Sequence, residues 1–156
     1  MRPDRIVVGE VRGGEAFEMM QAMNTGHDGS KSTLHANSTR DALVRLENML
    51  LMGQVNLPPQ AIKRQIVSAI DLLVHVQRMR DGKRRITQIS EVVSLEGDVI
   101  VTHDLFSFES QHNGAQLTGQ YVMHDGLQRC YDKISASGLA SALDRALGRT
   151  ALGVNA

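Results

Sequence analysis

The first seventy residues alternate between short apolar runs and apolar positions at helical spacing. Apolar runs predict strands at 5–8 and 32–36. Apolar residues that recur every three or four positions predict helices at 14–24 and after the cap-like Ser38. A third helix is predicted from Pro58, because proline suits the first turn of a helix. The order strand, helix, strand, helix, helix indicates an α/β fold with a parallel sheet.

After Asp71 the pattern changes to longer extended runs, which predict a small β-rich extension. Strands are predicted at 72–79, 85–95 and 98–109. A cationic turn, RMRDGKRR, joins the first two of these strands, and a Glu96-Gly97 hairpin turn joins the second to the third. The tail is predicted to contain a mobile polar loop at 110–120, a short strand at 120–123 and an amphipathic helix at 138–147.

Composition limits the classes of protein to which the chain can belong. Its 156 residues suit one domain, or one domain with a small appendage. Lys and Arg balance Asp and Glu at 17 each, so no overall field favours a nucleic-acid partner. The single cysteine, Cys130, cannot form an internal disulfide, which favours a reducing cytoplasm. No apolar run approaches the roughly 20 residues that span a bilayer, so we expect membrane association only through partners.

Candidate chemistry follows the first two predicted strands. Glu10 comes just after the first strand, with Arg12 two residues on, and His35 lies at the end of the second strand. If these strands are parallel neighbours, their carboxyl ends share one edge of the sheet, where α/β folds bind ligands. Glu10 and His35 are then expected to lie together. His27 and Asp28 enter the second strand from the opposite edge, unless their loop folds back.

Simpler interpretations of these residues stay open at this point. A glutamate after a strand is most often a solvated turn residue, and a lone histidine is more often half-buried than a ligand. His-Asp pairs at 27–28, 103–104 and 124–125 raise the alternative of a metal-dependent hydrolase, although their spacing matches no compact ligand motif. The cations of the turn are either a solvated hairpin tip or a contact to an adjacent subunit; they are Arg78, Arg80, Lys83, Arg84 and Arg85.

Three stretches of the sequence together resemble a known family. They are RPDRIVVGEVRGGEAF at 2–17, TGHDGSKSTLHANS at 25–38 and SAIDLLVHVQRMRDGKRRITQISEV at 68–92. In this order they resemble the secretion ATPase superfamily that powers type II and type IV secretion and type IV pili, and within it the CpaF-like tight-adherence (Tad) pilus ATPases. The resemblance covers 1–109, as part of a RecA-like ATPase domain, and leaves 110–156 as a loosely matching tail.

The resemblance implies a role for each candidate residue. Glu10 would be the Walker B carboxylate that holds Mg²⁺, directly or through water, against the phosphates of ATP. His35, in the His box, would sense the γ-phosphate. His27, the other His-box histidine, would organise its loop. Arg12 would pair with a carboxylate, a phosphate or a neighbouring subunit.

The resemblance also implies segments that the 156 residues do not contain. The family's phosphate-binding GxxxxGK[ST] loop and its acidic Asp box precede the Walker B region, and neither pattern occurs here. We therefore expect a RecA-like P-loop NTPase core truncated at its N-terminal side, followed by the β-rich extension and C-terminal helices. We also expect the chain to be inactive by itself.

The implied function is ATP hydrolysis by a homohexamer at the cytoplasmic face of the inner membrane. Such a ring would bind an inner-membrane platform protein of the secretion or pilus system and convert hydrolysis into motion. The alternative is a catalytically dead remnant that acts only as a partner-binding module.

Overall fold

The computed structural model describes residues 3, 5–27, 29–53, 56–113, 116–126 and 129–148. The strands of this part of the chain are β1 Val7–Val8, β2 Lys31–Ser32, β3 Leu72–Arg78, β4 Arg84–Glu96, β5 Val99–Asn113 and β6 Gln116–Met123. The helices are α1 Ala16–Asn24, α2 Thr39–Met52, α3 Pro59–Ala69, α4 Arg129–Ala136 and α5 Ala140–Ala146. The predicted order of the first five elements is confirmed.

Strands β1 and β2 are parallel neighbours, as predicted, and α1 connects them. Val7 lies opposite Lys31. Backbone contacts continue past the short strands, because the Val11 amide donates to the Thr33 carbonyl at 2.9 Å. The Thr33 hydroxyl also donates to the Gly9 carbonyl. These bonds hold the segments after the two strands side by side.

Helices α1, α2 and α3 pack their apolar faces into one core. The fully or nearly fully buried side chains of this core include Met20, Leu46, Leu50, Ile62 and Ile66. Ser38 is the N-cap of α2, since its hydroxyl accepts a hydrogen bond from the Asp41 amide at 3.0 Å. The predicted cap is therefore confirmed. The three helices form a layer because the helical spacing of their apolar residues gives each helix one apolar face, which is buried against the others.

Strands β3 to β6 form an antiparallel sheet in sequence order. The prediction of a mobile loop at 110–120 is wrong, because β5 continues to Asn113 and β6 begins at Gln116. Ser110 pairs with Gly119 in this hairpin, and the ring of Phe108 lies 5.1 Å from that of Tyr121. The backbone ladder and this ring contact hold the hairpin, so its polar side chains need no burial.

The tail contains α4 in addition to the predicted α5, and α4 packs onto the second sheet. The buried carboxylate of Glu91 accepts a hydrogen bond from the amide of Cys130, in the first turn of α4. Burial, helped by the Glu91 carboxylate, raises the pKa of the Cys130 thiol to about 12, so this thiol stays protonated at neutral pH. None of the described helices is long and apolar enough to cross a bilayer.

Candidate functional site

Glu10, Arg12 and His35 lie together at the ends of β1 and β2. The Nε2 atom of His35 is 2.9 Å from Oε1 of Glu10. Nη2 of Arg12 is 2.5 Å from Oε2 of Glu10. The parallel pairing of the strands produces this cluster, since it brings their carboxyl ends to one edge. One carboxylate therefore contacts two potential cations.

The electrostatics of the cluster keep Glu10 ionised. Its pKa lies below the ordinary value, first because of the hydrogen bond from Arg12 and then because of the charges of Arg12, His35 and Arg45, while desolvation opposes the shift. The same hydrogen bond raises the pKa of Arg12. The side chains of Arg12 and His35 are 74% and 81% exposed, against 25% for Glu10. The carboxylate is thus the partly enclosed centre of a cluster whose two basic side chains reach into solvent.

The Glu10 carboxylate is the negatively charged group of the cluster. Its Oε1 atom is shielded from solvent and lies 2.9 Å from Nε2 of His35, without the alignment of a hydrogen bond. A carboxylate oxygen suits a hard divalent cation such as Mg²⁺. The described residues contain no group of three His, Cys, Asp or Glu side chains that could hold a metal ion. One carboxylate with water and phosphate oxygens as the other ligands fits Mg²⁺, which keeps several waters.

The loop between Glu10 and α1 is fixed by Glu15, a residue that the sequence analysis did not single out. Oε1 of Glu15 accepts hydrogen bonds from the amides of Arg12, at 2.7 Å, and Gly13, at 3.1 Å. Hydrogen bonds from the Arg12 amide, from its own amide and from the Gly13 amide lower the pKa of the Glu15 carboxyl, while desolvation opposes the shift. The available signal was its place just before the helix, where a carboxylate within three residues of two loop amides can bind them.

His27 lies in the loop before β2, and its contacts are not with this cluster. Its Nδ1 atom is 3.0 Å from the Ala22 carbonyl, and its own carbonyl accepts a hydrogen bond from the Ser30 hydroxyl at 2.7 Å. That hydroxyl oxygen accepts a hydrogen bond from the Ile6 amide at 3.0 Å. These contacts join the loop before β2 to the residue before β1. The role of His27 in organising its loop stays a prediction, and Asp28 lies outside the described residues.

A cavity of about 580 Å³ adjoins the cluster. Its lining includes residues 29–36, residues of α2 and residues 69–76. The lining is mixed: apolar residues such as Leu43 and Leu46 alternate with polar ones that include His35 and Ser38. Described residues of β2 pair only with β1, and those of β3 only with β4, so both strands have an open edge at this cavity. The cluster therefore lies beside a space that other chain segments or ligands can enter.

Comparison with known families decides the assignment of the chain. A family model described as "Type II/IV secretion system protein" matches residues 1–135. The chain belongs to this family. The resemblance to secretion ATPases is thereby confirmed at the level of the family, and the match extends into α4. The narrower resemblance to tight-adherence pilus ATPases stays a prediction.

Curated relatives match 57–64% of the chain. The chain is 43% identical over 99 residues to a putative conjugal transfer protein of Mycobacterium tuberculosis, matching 64% of the chain and 28% of the relative. It is 40% identical to the type IV secretion system protein PtlH of Bordetella pertussis, over 57% of the chain and 27% of the relative. The chain thus spans little more than a quarter of the length of these curated relatives.

A solved structure supports the same family at the level of coordinates. It is the crystal structure of the VirB11 ATPase from the Brucella suis type IV secretion system in complex with sulphate. The TM-score is 0.55 at 35% identity, with 58% of this chain and 28% of that chain covered. Over this region the mixed α/β fold is similar to that of the VirB11 ATPase, and the RecA-like core stays a prediction.

The cationic turn between β3 and β4 is a second charged feature of this family member. Arg85 forms two hydrogen bonds to the Asp81 carboxylate, at 2.9 and 2.6 Å, and lies over the Phe108 ring at 5.5 Å. Arg78 donates to the Gly82 carbonyl at 3.2 Å. Arg78 and Arg85 thus take part in the turn's own structure, and a contact of the turn's cations to an adjacent subunit stays a prediction.

Proposed function

We propose that the chain supplies the Mg²⁺- and γ-phosphate-facing part of an ATPase that powers type II or type IV secretion or tight-adherence pilus assembly. The contact between Glu10 and His35 at the ends of two parallel strands is the observation that carries the proposal. It puts an ionised carboxylate and an exposed imidazole at one edge, in a chain that belongs to the secretion-system family. A nucleotide triphosphate with Mg²⁺ needs both kinds of group.

Each of the three residues of the cluster has a different role in this proposal. Glu10 holds Mg²⁺ directly or through a bound water, since its carboxylate is ionised and hard cations bind oxygen ligands. Mg²⁺, when bound, offsets the charge that develops on the β- and γ-phosphates. His35 donates an N–H to a γ-phosphate oxygen, and Arg12 neutralises either Glu10 or a phosphate. Such groups accelerate the reaction because their charges are in place before it begins.

Further parts of the assembly complete the site in this proposal. The 156 residues contain no GxxxxGK[ST] sequence, whose backbone amides and lysine hold the phosphates. We propose that this segment joins the chain within a homohexamer. The ring would act at the cytoplasmic side of the inner membrane, on a platform protein of the secretion or pilus system.

The test measures Mg-ATP turnover and nucleotide binding in a protein that joins this chain to a GxxxxGK[ST] segment from a family member. Glu10→Gln is expected to lower turnover by about 100-fold or more, because one preorganised charge is removed. Nucleotide binding is expected to remain, since the phosphates are held mainly by the joined segment. Glu18→Gln, an exposed glutamate on α1, is the matched control and should retain turnover.

Other outcomes separate the alternatives. Undiminished turnover in Glu10→Gln would show that the role proposed for Glu10 is wrong. A joined protein that neither binds nor hydrolyses ATP, though folded, would favour the partner-binding remnant. The isolated chain is expected to show no turnover above background, and robust hydrolysis by it would contradict the need for the joined segment.

A further inference from the structure

The Glu15 carboxylate binds the loop before α1 and not the first turn of α1 itself. It stands at the N-cap of α1, where a side chain normally accepts a hydrogen bond from the first turn of its own helix. The Glu15 side chain makes no such bond. Its Oε1 instead accepts from the Arg12 and Gly13 amides, which precede it in the chain. The carboxylate therefore stabilises the loop before the helix and leaves the helix itself without a side-chain cap.

The loop that Glu15 holds is fixed at several points. The Val11 amide donates to the Thr33 carbonyl, which ties the start of the loop to the segment after β2. A Cβ atom on Gly13 would lie 3.2 Å from Oε2 of Glu15, so the glycine lets the carboxylate approach the backbone closely. With the Arg12 backbone fixed in this way, fewer directions remain open to its long side chain. Arg12 directs its guanidinium to Glu10, 2.5 Å away.

We infer that Glu15 is a positioning residue of the site: by binding the Arg12 and Gly13 amides, it holds Arg12 in the conformation that pairs with Glu10. Its use in catalysis rests on the proposed function, whereas its effect on Arg12 does not. Without Glu15, the exposed arginine samples many rotamers, and the loss of side-chain entropy on pairing with Glu10 opposes the contact. When Glu15 is present, the Arg12 backbone is already ordered, so less conformational entropy is lost when the Arg12 side chain pairs with Glu10.

The experiment uses NMR on the isotopically labelled chain, without nucleotide. Two signals are followed: the guanidinium resonances of Arg12, and the hydrogen exchange of the Arg12 and Gly13 amides. In Glu15→Ala we expect exchange at both amides to rise by about tenfold or more. We expect the Arg12 guanidinium resonances to move to the positions found in Glu10→Gln, which lacks the ionic partner.

Two further variants sharpen the result. Glu15→Gln keeps an oxygen at the same reach, so it should retain most of the amide protection and of the Arg12 signal. Glu18→Gln, on the same helix, should change neither. If Glu15→Ala does not fold, Glu15→Asp replaces it, because a side chain shorter by one methylene no longer spans both amides.

The inference is overturned if Arg12 keeps its guanidinium resonances in Glu15→Ala or Glu15→Asp while only the melting temperature falls. That result would leave Glu15 with a structural role alone. The outcome is independent of the proposed function, because no nucleotide is present. Conversely, unchanged turnover in Glu10→Gln would remove the proposed role of Glu10 and leave the coupling between Glu15 and Arg12 standing.

Discussion

Gly14 and Gly53 bring the loop before α1 against the end of α2. A Cβ atom on Gly14 would lie 3.2 Å from the Cα of Gly53, and one on Gly53 would lie 3.2 Å from the carbonyl oxygen of Gly14. Both neighbours are backbone atoms, which cannot swing aside as a side chain can. This close approach anchors the loop that carries Arg12 to the helical layer.

At this residue scale we predict that Gly14→Ala lowers the free energy of unfolding by about 1–3 kcal/mol, since the added methyl forces the two backbones apart. Urea denaturation of the chain measures the change. Gly9→Ala is the control, because nothing lies within 4 Å of its added Cβ, and it should shift stability by less than about 0.5 kcal/mol. Equal shifts in the two variants would contradict the close approach.

At the scale of elements, the β3–β4 hairpin has a turn that is held by its own charges. The Asp81 carboxylate accepts two hydrogen bonds from Arg85 and one, at 3.1 Å, from the Lys83 amide. The Arg85 hydrogen bonds, more than the Lys83 amide and the nearby positive charges, lower the pKa of Asp81 to about 2. The charge pattern RMRDGKRR indicated a turn but not which arginine would be paired.

The pH dependence of this turn follows from the lowered pKa. Asp81 titrates at about 2 in the folded hairpin, below its ordinary 3.8, so its stabilisation is complete above about pH 4 and is lost as the pH falls towards 2. An NMR titration of the Asp81 carboxyl carbon measures this. Arg85→Gln should move the pKa back towards the ordinary value, whereas Arg84→Gln should not. Similar shifts in both variants would indicate a general charge effect instead of this pair.

At the scale of the whole molecule, Arg129 joins the helical layer, the second sheet and the tail. Its guanidinium donates to the Val67 carbonyl and, at 3.3 Å each, to those of Ser68 and Val92. Two of these carbonyls belong to the last turn of α3, where a cation also interacts favourably with the helix dipole. The predicted division at residue 109 stays a prediction, although β5 runs across that point.

We predict that Arg129→Gln lowers the free energy of unfolding by about 1.5–3 kcal/mol, because charged hydrogen bonds to three carbonyls are lost. Denaturant unfolding, followed by signals from α3 and from α4, gives both the size of the change and whether the two helices unfold together. Arg64→Gln, an exposed arginine on α3, is the matched control. A change no larger than that of the control would mean that Arg129 does not hold the helical layer, the second sheet and the tail together.

Local and periodic features of the chain were predictable from its sequence. The apolar spacing determined α1 to α3 and their buried faces, and the Ser38 cap needed only a residue three positions away. The meeting of Glu10 and His35 was also predictable, because a helical crossover between parallel strands brings their carboxyl ends to one edge. The motifs around these residues indicated the family that the comparison with known proteins then showed.

Only the tertiary structure decided the features whose partners are backbone atoms or lie far along the chain. The β5–β6 hairpin is paired through its backbone. Its polar sequence therefore shows no alternation of apolar and polar residues from which the strands could be predicted. The backward reach of Glu15 and the carbonyls bound by Arg129, more than thirty residues before it, depend on where the folded chain brings amides and carbonyls. Every residue carries the same amide and carbonyl, so the sequence cannot distinguish these partners until the fold selects them.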